Sequence, residues 1–275
     1  MPSRSVLSKL AAAAAVAGLA VTLSACSSGS AGSGTGATDS ESALDRVTEA
    51  GVLVVGTEGT YRPFSYHEGG AGDLTGYDID VITAVADKLD LELQFEETQW
   101  DGIFAGLEAG RFDIIANQVS INDDREEQYT LTEPYTVSPG ALIVAKDNTD
   151  ITSLDDLAGK TTAQSLTSNW YTIAEEAGAN VEGVEGWAQA VELLEQGRVD
   201  ATINDKLTYL DYLKQKPDAG IKVVAETDDP SRSAFALKKG SDDLADAINE
   251  ALAELSDDGT LAEISEKYFG EDVSK

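Results

Sequence analysis

Leu107-Glu108-Ala109-Gly110-Arg111-Phe112-Asp113 recurs further along the chain as Leu194-Glu195-Gln196-Gly197-Arg198-Val199-Asp200. In both copies an amphipathic run stops at a glycine and an apolar run begins. A glycine there predicts a helix ending in the left-handed backbone region, which only glycine adopts cheaply. The apolar run predicts a buried strand. Two ordinary helix–turn–strand corners would read the same way locally; their separation along the chain fits one corner in each of two lobes.

Residues 52–56, 91–95, 112–116, 141–145, 201–203 and 221–225 read as short apolar strands. Residues 78–89, 103–109, 189–196 and 242–255 read as helices, with Tyr77, Val81, Val85 and Leu89 at helical spacing. This alternation predicts an α/β architecture with mostly parallel sheets. Ligands of open α/β sheets bind beyond the carboxyl ends of strands. Asn117 and Asn204 each lie four residues on from a repeat aspartate, so residues 117–120 and 204–205 are expected to face each other across a cleft.

The start of the chain predicts its compartment. Arg4 and Lys9 precede an apolar run over residues 10–23, then small residues and Cys26. This is the layout of a secretory signal, and the run is too short to span a bilayer comfortably. Leu23-Ser24-Ala25-Cys26 resembles a bacterial lipobox. That resemblance implies a signal peptide over 1–25, diacylglycerol on Cys26, and a Ser/Gly/Ala/Thr-rich flexible linker over 26–40. Cys26 is the one cysteine in 275 residues, so the body is held by its core and not by disulfides. A net charge of −31 excludes nucleic acid and anionic lipid surfaces as direct partners.

Gly76-Tyr77-Asp78-Ile79-Asp80-Val81, followed by Val85-Ala86 and Leu89, is the most specific stretch. With it stand residues 56–64, Trp100-Asp101, Asp123-Asp124-Arg125, Asp258-Gly259-Thr260-Leu261 and Lys267-Tyr268-Phe269-Gly270. In this order over most of the chain, these pieces resemble the bacterial solute-binding proteins that serve ABC importers of polar amino acids. The resemblance implies a two-lobed periplasmic-binding-protein-like fold with two hinge crossovers and a ligand cleft between the lobes. Lobe 1 would comprise 41–138 plus 228–275 and lobe 2 would comprise 139–227, with crossovers at 142–145 and near Val224. It also implies a monomer, held to the outer face of the cell membrane by its lipid, with permease subunits as partners.

The same resemblance implies a site. Arg125 would hold the ligand carboxylate, since a guanidinium fork fits a carboxylate in two places. Asp205 would hold the ammonium; read alone, it is also a helix N-cap. Thr167, Ser168 and Asn169 precede a helix whose N-terminus favours the same carboxylate. Tyr61 and Trp100 would wall the ligand side chain, and Glu58 would meet a distal ammonium. Ser120 and the Gln118 backbone would help with the α-groups, beside Asn117. The runs 117–120, 134–138 and 168–170 look most like those of cystine binders; glutamine, glutamate and basic amino acids are the alternatives. Arg62 and Arg232 are the candidates for a second ligand carboxylate. His67 is the one histidine, and no metal-ligand cluster or nucleophile–base set is legible. No metal, cofactor or catalysis is expected; a dehydratase-type enzyme on the same fold is the remote alternative.

Overall fold

Gly110 and Gly197 both terminate helices. In the computed structural model, which describes residues 42–275, they sit in the left-handed region at φ 69° and 66°. Their N–H groups close the preceding turns on the carbonyls of Leu107 and Leu194, at 2.9 and 3.0 Å. The aspartate ending each copy then ties its strand to a neighbour. The Asp113 carboxylate accepts from Val54 N–H at 3.0 Å, and the Asp200 carboxylate from Thr161 N–H at 2.8 Å. One device therefore builds the same corner twice.

The described chain enters on α1 (Ala43–Ala50) and β1 (Val52–Thr57), then forms a small sheet from β2 (Thr60–Tyr61), β3 (Ser65–His67) and β4 (Leu74–Thr75). α2 (Tyr77–Lys88), β5 (Glu92–Glu97), α3 (Trp100–Glu108), β6 (Ile114–Ser120), α4 (Asp123–Gln128), β7 (Tyr129–Leu131) and β8 (Thr136–Ser138) follow. A second body begins with β9 (Gly140–Ala145) and β10 (Thr161–Gln164). It continues through α5 (Asn169–Glu176), β11 (Asn180–Gly183), α6 (Trp187–Glu195), β12 (Ala201–Asp205), α7 (Lys206–Gln215) and β13 (Ile221–Glu226). The chain then returns through β14 (Ser231–Lys238), α8 (Asp242–Asp257) and α9 (Thr260–Phe269).

The first lobe is built on a sheet of order β5-β1-β6-β14-β7, with β8 paired to β14; the second is built on β11-β10-β12-β9-β13. Each sheet is buried on both faces. In β6, Ile114 and Ala116 join one apolar cluster and Ile115 joins another. In β9, Ala141 and Ile143 face one way, Leu142 and Val144 the other. This is the period-two pattern of a strand with helices on both sides. The sheets are mixed, not mostly parallel: β1 runs parallel to β5 and β6, whereas β14 and β9 run antiparallel to β6 and β12. The antiparallel strands are those that carry the chain between lobes, and such strands need no helical crossover.

The two passages between lobes lie at Pro139 and at residues 227–230. Gly140 N–H donates to Thr227 Oγ1, and Thr227 N–H donates to the Gly140 carbonyl, both at 2.9 Å. The passages thus run as one stitched ribbon. The segments expected to cross, 142–145 and the neighbourhood of Val224, lie instead within β9 and β13, paired in the second sheet. β14 has no counterpart among the expected strands. Its Ser231-Arg232-Ser233 start is polar, and burial comes from β6, β7 and β8 alongside it.

The expected leader over 1–25, Cys26 with its lipid, and the linker to residue 40 lie outside the described residues. Among the described residues no helix is long and apolar enough to cross a membrane.

Candidate functional site

A cavity of about 330 Å³ lies between the carboxyl ends of the two sheets, within the size range of small-molecule sites. Bonds between the lobes close around it. Tyr61 Oη donates to Asn204 Oδ1 at 3.0 Å, Thr167 Oγ1 donates to Asp101 at 2.8 Å, and Arg62 pairs with Asp211 at 3.3 Å. Leu207, at the head of α7 in the second lobe, packs into the first lobe's apolar cluster. Fully burying a leucine side chain is worth about 1.5–3 kcal/mol, so the closed arrangement has an apolar component besides its polar bonds.

Arg125 is 7% exposed and is the one buried Lys or Arg among the described residues. Its Nη1 donates to the Ser120 carbonyl at 2.8 Å and its Nη2 to the Thr167 carbonyl across the lobes at 3.3 Å. Trp100 and Phe104 pack together against it, each ring centroid 5.4 Å from the guanidinium carbon and 5.5 Å from the other. Among the described residues no carboxylate pairs with it, and burial pushes its pKa down to about 10.

Asp205 ends β12 and caps α7. Its Oδ1 accepts from Leu207 N–H at 2.8 Å and Ser138 Oγ at 2.7 Å, leaving Oδ2 without a hydrogen bond among the described residues. Burial raises its carboxyl to about 6 against the pull of those two donors. N-capping of α7 occupies Oδ1 alone.

Glu58 follows β1. Burial raises it to about 7; the Asn117 amide and the Trp100 N–H draw it down, while Asp101 and Glu185 push it up. Asn117 Nδ2 donates to Glu58 Oε2 at 2.7 Å, and Glu58 N–H donates back to Asn117 Oδ1 at 3.0 Å. Asn117 therefore orients Glu58. Gln118 has φ +51°, and its N–H and Nε2 both donate to Asp78, at 2.8 and 2.6 Å. Its N–H is thus engaged inside the protein. Asp78 is fully buried, its carboxyl raised to about 7 by that burial against the Gln118 bonds. It is the aspartate of the Gly76-Tyr77-Asp78 stretch, which thereby shapes the site from behind.

Residues 53–271 match the model of bacterial extracellular solute-binding proteins, family 3. The chain belongs to this family. It is 53% identical over 229 residues to the L-cystine-binding protein TcyA of Bacillus subtilis (strain 168), covering 83% of this chain and 85% of that protein. Among solved structures, the L-cystine solute receptor of Neisseria gonorrhoeae in its unliganded open conformation is 46% identical, with TM-score 0.58 over 85% of this chain and 99% of that one. An ancestral arginine-binding protein bound to arginine is 38% identical, with TM-score 0.74 over 80% of this chain and 99% of that one. These relatives are binding proteins.

Of the eleven residues that the sequence nominates, Glu58, Tyr61, Trp100, Asn117, Gln118, Ser168 and Asn169 line the cavity of this family 3 protein. Ser120, Arg125, Thr167 and Asp205 stand just outside the lining, joined to one another or to the hinge. Ser168 caps α5, its Oγ accepting from Tyr171 N–H at 3.1 Å. Arg62 and Arg232 do not line the cavity. Sequence reasoning missed Gln164, Trp170 and the segment 184–190. A signal for Trp187 was present: Trp100 precedes the first repeat copy by the same spacing as Trp187 precedes the second. Each begins its helix, and together with Trp170 all three tryptophans of the chain line the cavity.

Proposed function

We propose that this chain is the substrate-binding lipoprotein of an ABC amino acid importer and that it captures L-cystine by closure of its two lobes. One observation carries the reading. Around a single cavity stand the buried Arg125 guanidinium, the buried Asp205 carboxylate and the half-buried Glu58 carboxylate, none of them in an ion pair among the described residues. A ligand with two ammonium groups and a carboxylate neutralises all three. Arg125 takes the first carboxylate, Asp205 the first ammonium and Glu58 the second. Similarity to cystine-binding relatives supports the choice of cystine. The lower TM-score against the more identical, open-state receptor supports closure as the motion. The permease subunits read the closed form of a single chain, anchored through lipid on Cys26 at the outer face of the membrane. Capture, not catalysis, is its activity.

A basic amino acid is the second reading, favoured by the arginine-bound ancestral structure and by Glu58. Titration calorimetry with the twenty amino acids and L-cystine separates the two. Tight binding of cystine that vanishes on adding reductant is the expected result. Tight binding of lysine, arginine or glutamine, with none of cystine, overturns the specificity.

The ammonium binds the ionised form of Glu58, which is half protonated near pH 7, and a bound ammonium lowers its pKa. Affinity therefore falls as pH falls through 7, by up to about tenfold per pH unit, and more steeply below 6 where Asp205 also protonates. Calorimetry from pH 8 to pH 5 checks this; a flat profile removes Glu58 from the ammonium site. In Glu58→Gln the step near 7 is expected to disappear.

A further inference from the structure

The proposed clamp draws Arg125 and Glu58 from the first lobe and Asp205 from the second, so it is complete only when α7, which Asp205 caps, is seated against the first lobe. The face of α7 that makes this seat is regular. Leu207, Asp211 and Lys214 stand at i, i+4 and i+7, which places them on one side of the helix. All three reach the first lobe. Leu207 is buried in its apolar cluster, Asp211 pairs with Arg62 at 3.3 Å, and Lys214 Nζ donates to the Tyr268 carbonyl at 3.1 Å. The last contact puts an ammonium on the C-terminal turn of α9, the negative end of that helix. None of Arg62, Leu207, Asp211 and Lys214 lines the cavity, so these contacts join the lobes without involving the ligand.

Both ends of the ion pair are held within their own lobes. The Arg62 guanidinium lies over the Tyr66 ring at 3.8 Å, and Asp211 accepts from Gln215 Nε2 one turn further along α7. A pair whose members are already placed loses little side-chain freedom on meeting, and that loss is what leaves most surface pairs worth little. Leu207 is tied to the site itself. Its N–H donates to Asp205 Oδ1 at 2.8 Å, so the side chain that enters the first lobe and the carboxylate that would take the ammonium move as one turn. We propose that the Leu207–Asp211–Lys214 face of α7 is a clasp that seats Asp205 against the ligand, and that these residues, with Arg62, set the lifetime of the complex without touching the ligand. The clasp rests on capture by closure and adds a determinant of affinity outside the cavity. Ligand docked on the first lobe leaves when the clasp opens, so the clasp acts on dissociation and not on association.

Stopped-flow binding of L-cystine to the full chain is the test. Leu207→Ala keeps the N–H that Asp205 caps and removes only the side chain. It is expected to speed dissociation about tenfold and to leave association within about twofold of wild type. Asp211→Arg sets two guanidinium groups against each other and is expected to speed dissociation by about tenfold as well. Adding Arg62→Asp to it restores the pair with its charges exchanged and is expected to bring the rate back to within about threefold of wild type. Rescue by exchange is a result that general damage to α7 does not produce. Dissociation within about twofold of wild type in both single variants, slower association in place of faster dissociation, or a double variant no better than Asp211→Arg overturns the clasp and leaves capture by closure standing. If a basic amino acid proves to be the ligand, the same rates are read with it, because the clasp makes no contact with the ligand. Wild-type protein that binds ligand with no decrease in its radius of gyration in small-angle scattering overturns closure, and the clasp with it.

Discussion

Arg125→Ala is expected to weaken L-cystine binding by about 30-fold to several thousand-fold, equivalent to ~2–5 kcal/mol. The guanidinium is buried against the Trp100–Phe104 pair, and the acceptors it has among the described residues are the Ser120 and Thr167 carbonyls, which leave its charge unneutralised. A ligand carboxylate would supply that neutralisation in a site where water does not compete. Removing the cation leaves the carboxylate buried against neutral groups, which is the expensive half of breaking a buried pair. Arg125→Lys is expected to fall between the two, because one ammonium cannot hold both carbonyls and still present a planar fork. The variant's own stability provides the control. An uncompensated buried charge has been removed, so thermal unfolding without ligand is expected to be unchanged or slightly raised. A loss of affinity below threefold takes Arg125 out of the site.

The second large effect is on folding. Gly76→Ala is expected to destabilise the protein by about 2–6 kcal/mol, combining backbone strain with a clash that cannot relax. Gly76 has φ 137°, and a Cβ there would lie under 3.0 Å from the Phe64 carbonyl group and the Ser65 nitrogen. Those atoms cannot withdraw. Tyr77 N–H donates to the Pro63 carbonyl at 2.9 Å and Asp78 N–H to the Phe64 carbonyl at 3.0 Å, pinning the entry of α2 to that loop. The damage extends to the cavity, since Asp78 holds Gln118 in its left-handed conformation. Urea titration checks the prediction; a loss of less than about 1 kcal/mol would show that the loop over residues 63–65 yields.

The Gly76-Tyr77-Asp78 stretch marks the boundary between what is legible in sequence and what is not. Its presence identifies the family, and nothing in it says that its aspartate reaches β6. The repeat behaves in the same way. Its glycines announce two helix ends and its apolar runs two buried strands, because backbone sterics and period-two burial act over a few residues. Its aspartates read as unremarkable surface acids until β1 and β10 are laid beside them. Glu58, Tyr61, Trp100, Asn117, Gln118, Ser168 and Asn169 could be nominated from motif position alone. The roles of Asn117 and Gln118 as supports for Glu58 and partners of Asp78 could not. β14 escaped notice because its start is polar and its burial is supplied by three other strands. The two α/β halves, the family and the residue types able to hold an amino acid are legible in the chain because they depend on short-range pattern. Which of those residues reach the cavity, where the chain crosses between lobes and which polar groups stay unpaired depend on contacts between segments far apart in the chain, and these emerge with the fold.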